Sequence, residues 1–129
     1  MKRRSWGLVF RNAAEGIAYG FRTQRNVRVH TGVALIMCAA GFFFGISRTD
    51  WMFVLTAIFL VLVTELMNTA VEAAVDLAHP DIHPLAKAAK DTAAGAVLLA
   101  AVFAVIIGCV VFYKPVLSWL GLYSFFGCS

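Results

Sequence analysis

The chain has 129 residues, 61% of them hydrophobic and only 14% charged, with a formal net charge of +4. An average soluble domain carries about 45–50% apolar and about 25% charged residues, so an ordinary soluble fold is excluded and a single membrane domain is expected. The cations form no stripe interleaved with solvent-facing aromatics; the positive balance suits an anionic lipid surface and argues against a nucleic-acid partner.

The opening stretch "MKRRSWGLVFRNAAEGIAYG" is basic, but Arg11 and Glu15 interrupt it before the apolar core of a cleaved signal peptide could form. Trp6, Val9, Phe10, Ala13, Ala14, Ile17 and Phe21 recur instead at helical spacing. This predicts an amphipathic helix over about residues 5–22, lying on the membrane surface with Lys2, Arg3, Arg4 and Arg11 near lipid headgroups. Three apolar segments follow and predict transmembrane helices over about 28–46, 51–77 and 85–113. Lipid offers backbone amides no partners and no barrel-like alternation is visible, so the spans must be helices. The fold class is therefore all-α integral membrane.

"GISRTDW" joins the first two spans and "AHPDIHPLAK" the last two, with Pro80 stopping one helix and Pro84 starting the next. Pro115 is expected to end the third helix and leave an apolar tail over 115–129. Trp51, Tyr113 and Trp119 fall at expected interfaces. Gly41 and Gly45 form one GxxxG match, a weak sign of a helix contact. Cys38, Cys109 and Cys128 have no ligand spacing and read as small buried hydrophobes. His79, Asp81 and His83 sit in a proline-rich loop and read as turn and capping residues rather than metal ligands. Seven cations lie at or before the start of the first span and two more, Lys87 and Lys90, in the stretch from Asp76 to Asp91; the other side holds Arg48 and Lys114. The positive-inside rule then places the N-terminus of this multi-pass protein on the cytoplasmic side of its membrane.

The second span ends in "TELMNTAVEAAVD". At about 100° per residue, Glu65, Asn68, Glu72 and Asp76 fan over roughly 80° of one helix face. Counted from Trp51 at about 1.5 Å per residue, Glu65 lies about 21 Å and Glu72 about 31 Å along the span, with Asp76 beyond. A carboxylate at the depth of Glu65 costs on the order of 2.5–3.5 kcal/mol, which calls for a partner or a task. One reading is a structural polar seam paired with a basic side chain of a neighbouring helix. The other is a site that joins a lipid-borne group to a water-borne one. At the start of the third span, "LAKAAKDTAAGAVLL" adds Lys87, Lys90 and Asp91. A lysine suits phosphate, and carboxylates near it suit Mg²⁺, which binds through one or two carboxylates plus substrate phosphates. No GxxxxGK[ST], GxGxxG, HRD or DFG motif accompanies them, so a nucleotide would be held by helix ends, metal and lysine.

"TELMNTAVEAAVDL" and "HPLAKAAKDTAAGAVLL", with "RTQRNVRVH" before the first span, resemble the small bacterial integral-membrane diacylglycerol kinase / undecaprenol kinase family. The likeness runs from about Asn12 to Ile107, and the second block is closest in wording to the undecaprenol kinase branch. The resemblance implies a surface helix plus three transmembrane helices, assembled as a homotrimer with sites at subunit interfaces. It implies transfer of the γ-phosphate of MgATP to a membrane lipid alcohol. By position, Glu65 matches the family's general base and Glu72 a metal ligand, while Asn68, Asp76, Lys90, Asp91 and Arg25 match nucleotide-side residues. The family usually carries a second metal-binding glutamate where this chain has Gln24, and Glu15, about 13 Å away along a helix, is a poor substitute. Gln24 offers the metal a neutral oxygen only, which lowers the expected affinity. Asn26, Arg28 and His30 read equally as anchors, caps or nucleotide contacts. Two further classes stay open: a weakened or inactive relative acting as a structural or regulatory subunit, and an ion pathway, against which it counts that the acidic stripe stops half-way across the membrane.

Overall fold

The computed structural model describes residues 5–122 as four helices: α1 (Trp6–Thr23), α2 (Arg25–Phe44), α3 (Arg48–Ala78) and α4 (Pro84–Trp119). α2, α3 and α4 are each long and apolar enough to cross a membrane. The N-terminal cations Lys2, Arg3 and Arg4, Cys128 and the end of the apolar tail lie outside the described residues.

α1 starts on Ser5, whose hydroxyl accepts from the Leu8 amide at 3.3 Å. Trp6, Phe10 and Ile17 stand exposed on it. The helix stops at Gln24, a single extended residue (φ −104°, ψ 118°) that is at once the C-cap of α1 and the N-cap of α2. Arg28 locks this elbow by donating from Nη1 to the carbonyls of Phe21 at 2.9 Å and Arg22 at 3.3 Å. Those are carbonyls that the end of a helix leaves without internal partners. Gly20 sets how closely α1 approaches α3: a Cβ there would meet Leu66 Cδ2 at 2.6 Å.

α2 closes on Gly45, which takes the left-handed conformation (φ 61°, ψ 47°) that a side chain disfavours. Ser47 then caps α3, accepting from the Asp50 amide at 3.1 Å. α3 and α4 form the long hairpin at the centre of the molecule. Val54, Ala57, Val61, Glu65, Asn68 and Thr69 are the buried residues of α3, spaced three and four apart as one helix face requires. Val97, Ala100, Val111 and Phe112 are those of α4. Thirty-one and thirty-six residues make helices of about 46 and 54 Å, longer than a ~30 Å hydrocarbon layer.

Three expectations change here. α4 does not stop at Pro115 but runs through it to Trp119. Proline removes one amide donor, and the turns beyond it re-form, Leu120 donating to Val116 at 3.0 Å and Leu122 to Leu117 at 3.0 Å; a membrane helix tolerates that loss when its neighbouring turns hold. Gly41 and Gly45 do not act as a pair: Gly41 packs on the Trp51 ring while Gly45 ends the helix. Cys109 is exposed along α4, and Cys38 is half-buried.

Candidate functional site

α3 carries the acidic face inward. Exposure falls with depth along it: Asp76 is exposed, Glu72 half-buried, Asn68 8% exposed and Glu65 1% exposed. The expected seam is thus a column of oxygen-bearing side chains that begins at the surface and ends inside the bundle.

Glu72 is held from two sides. Asn68 Nδ2 donates to its Oε1 at 3.0 Å, one helical turn away. Gln24 Nε2 donates to its Oε2 at 3.2 Å from 48 residues earlier in the chain. The elbow between α1 and α2 positions that amide, because Gln24 is the one extended residue between two helices, and Gly20 brings the end of α1 onto α3. Glu65 lies deeper. His30 Nε2, from α2, stands 3.2 Å from its Oε1, close enough for an ion pair but not aligned as a hydrogen bond. Thr69 turns its hydroxyl to the Glu65 carbonyl at 2.9 Å and so leaves the carboxylate free.

Lys90 reaches across from α4 to Asp76 rather than to Glu72, and Lys87 pairs with Asp91 on its own helix. These four residues line a charged recess of about 300 Å³ with the His79–His83 loop. His83 caps α4 by accepting from the Leu85 amide at 3.2 Å, and its ring stacks on His79 at 5.3 Å. Arg25 is exposed, and no ion pair among the described residues includes it. Glu15 is taken up by Arg11 at 2.9 Å. At the other end of the column, α2, α3 and α4 enclose an apolar groove of about 450 Å³, walled by Val33, Met37, Ala57, Val61 and Ala104, with His30 at its polar end. Along α3, then, the order is apolar groove, Glu65, Glu72, charged recess.

Among the described residues no three acidic, histidine or cysteine side chains come together as a metal cluster. A divalent cation would have Glu72 as its one carboxylate, with the amide oxygens of Asn68 and Gln24 as neutral donors. Asn68 Oδ1 is buried and has no hydrogen-bond partner among the described residues, as a hard oxygen kept for a cation would be. The residues fit Mg²⁺, which takes few protein carboxylates and completes its shell with water and phosphate oxygens.

Residues 11–112 match the prokaryotic diacylglycerol kinase family. The chain belongs to that family. It is 44% identical over 110 residues to a diacylglycerol kinase of Synechocystis, an alignment that takes in 84% of this chain and 63% of that one. It is also 44% identical over 103 residues to the undecaprenol kinase of Bacillus subtilis, across 80% of this chain and 84% of that one. The diacylglycerol kinase of Escherichia coli shares 37% over 60 residues. This is a lipid kinase family, as the wording of the two sequence blocks implies.

His30 is the member of the site that its sequence context left unassigned. The signal was present: Val27, His30, Ala34 and Met37 recur at helical spacing, and Val27 is 1% exposed. The residue therefore lies on the inward face of α2, where a histidine meets protein rather than headgroups.

Proposed function

We propose that the chain transfers the γ-phosphate of MgATP to the hydroxyl of a membrane lipid, undecaprenol or diacylglycerol, at the cytoplasmic face of the bacterial inner membrane. The observation that carries the reading is the order along α3: an apolar groove, a carboxylate 1% exposed, a second carboxylate at the boundary and a lysine-lined recess. That order lets a water-insoluble alcohol and a water-borne triphosphate meet without either leaving its own solvent. The N-terminus is cytoplasmic in this reading, and α1 lies along the headgroups through Trp6, Phe10 and Ile17, which are exposed in the single chain. The exposed apolar faces of α2 and α4 are available to copies of the chain in a homotrimer.

In the reaction, Glu65 takes the proton of the lipid hydroxyl, and the freed oxygen forms the new bond to the γ-phosphorus. The bond from that phosphorus to the bridging oxygen breaks, and its electron pair leaves with ADP. Phosphoryl transfer of this kind needs mainly alignment and charge neutralisation. Glu72, supported by Asn68 and Gln24, would hold Mg²⁺, which supplies part of that neutralisation when bound. Lys90, Asp76, Asp91 and Arg25 act on the nucleotide side. A general base contributes on the order of 10²–10⁴ in rate, so Glu65 cannot be silent if the assignment is right.

The test is direct. Purified protein in mixed micelles receives labelled MgATP with undecaprenol and, separately, with diacylglycerol, and the lipid products are separated on thin-layer plates. Phosphorylation of one lipid is expected, with undecaprenol favoured by the wording of the second block. No lipid phosphate in either tube, with Gln24→Glu equally silent, sinks the reading and leaves a structural or regulatory role.

A further inference from the structure

We propose that His30 is a positioning residue for Glu65: its ring N–H holds Oε1 and leaves the other oxygen to face the acceptor hydroxyl. The inference rests on the reading of Glu65 as the base.

Two independent observations carry it. The first is contact. Glu65 is 1% exposed, so water cannot orient its carboxylate, and protein must. Within the described residues its own helix supplies no donor: Thr69 is turned to the backbone carbonyl, and Asn68 Nδ2 is spent on Glu72. His30 Nε2 at 3.2 Å is the cationic or N–H group that meets the carboxylate. The charged and titratable neighbours are otherwise Glu72, which repels, and the lysines of α4, which are engaged at Asp76 and Asp91. The contact is not aligned as a hydrogen bond in the single chain; catalytic contacts of this kind tighten in the reactive complex.

The second observation is place. Besides touching Glu65, His30 is the one strongly polar side chain in the wall of the apolar groove. An apolar cavity of about 150 Å³ takes a benzene ring; about 450 Å³ therefore has the bulk for one hydrocarbon chain. A chain lying in that groove ends at His30, with its polar terminus beside the carboxylate that His30 holds. One imidazole thus links the tail site to the base, and the base is presented only where the tail ends.

The experiment compares His30→Phe, His30→Gln and wild type, with MgATP varied up to saturation at saturating lipid and thermal unfolding as a check. Phenylalanine keeps a ring and removes the N–H; glutamine carries an amide N–H to a similar reach. Expected is a fall in kcat of about 10–100-fold for His30→Phe, with KM for MgATP unmoved and kcat largely restored in His30→Gln. If His30→Phe does not fold, His30→Met makes the same deletion with a flexible chain. Full kcat in the apolar variant overturns the proposal, and so does a His30→Gln enzyme as slow as His30→Phe, which would make the ring's packing the cause. An inactive wild type overturns the kinase reading and this proposal with it. An active wild type with an inactive Glu65→Gln and an unaffected His30→Phe overturns this proposal alone.

Discussion

The two ends of the α3–α4 hairpin are held by different physics. Away from the site, Val54, Val111 and Phe112 form an apolar cluster with Phe44 and Met37 around it. Phe44 meets Phe112 at 6.2 Å, Phe42 meets Trp51 at 4.8 Å, and Gly41 admits the Trp51 ring. Toward the loop that joins α3 to α4, the buried residues that α3 contributes are all polar: Glu65, Asn68 and Thr69. Lipid tails are as apolar as leucine, so the first end gains little from leaving its solvent and depends on close contact. The second end places polar groups where each unmet hydrogen bond costs about 1–3 kcal/mol. A carboxylate buried at that cost points to chemistry. Substitutions should therefore separate the two ends: those at the apolar end should move stability, and those at the polar end should move turnover.

The largest effect should come from Glu65→Gln, with kcat down by about 10²–10⁴-fold and an unfolding temperature equal to or above wild type, because a neutral amide replaces a buried acid. Assay and thermal scan on the same preparation check both halves; lost stability with retained turnover would reverse the comparison. Next is Glu72→Ala, expected to lower activity at least about 100-fold and to abolish binding of Mn²⁺ followed by its electron paramagnetic resonance signal.

Gln24→Glu sharpens the picture further, because it sets a second carboxylate against Glu72 Oε2, where an amide now donates at 3.2 Å. Metal-free protein should be less stable, since like charges replace a hydrogen bond. Mn²⁺ affinity should rise on the order of tenfold, and the stability deficit should close as metal is added. Unchanged affinity would show that Gln24 does not border the cation site. At the other end, Gly41→Leu must displace a Trp51 ring atom that a Cβ would already meet at 2.8 Å. A loss of about 1–3 kcal/mol in stability is expected, with kcat per folded molecule near wild type. Smallest should be Arg11→Ala: its pair with Glu15 is exposed on both sides, and such pairs contribute at most about 0.5 kcal/mol, within the error of a thermal scan.

Much of the site was legible before any fold. The alignment of Glu65, Asn68, Glu72 and Asp76 needs only the period of a helix, and burial of their face follows from the cost of a carboxylate in lipid. His83 as a cap and the loop at Pro80 were equally readable from local chemistry. Partners were not. The sequence set Lys90 near the carboxylates of α3 without saying which one it meets; it reaches Asp76, because which turn of α3 a side chain of α4 meets depends on the length of the loop between them. Proline at position 115 looked like a stop, since the sequence shows its missing donor but not the neighbouring turns that carry the helix past it.

Alone, the sequence determined that this is a three-span helical membrane chain of a lipid kinase family, with an acidic face at one end of its second span. Those properties follow from composition and from periods of a few residues, which act locally. Only the tertiary structure decided that Gln24 donates to Glu72 across 48 residues and that His30 stands against Glu65. Both contacts depend on the one-residue elbow between α1 and α2 and on how closely Gly20 lets α1 approach α3, and no local period encodes an angle between helices.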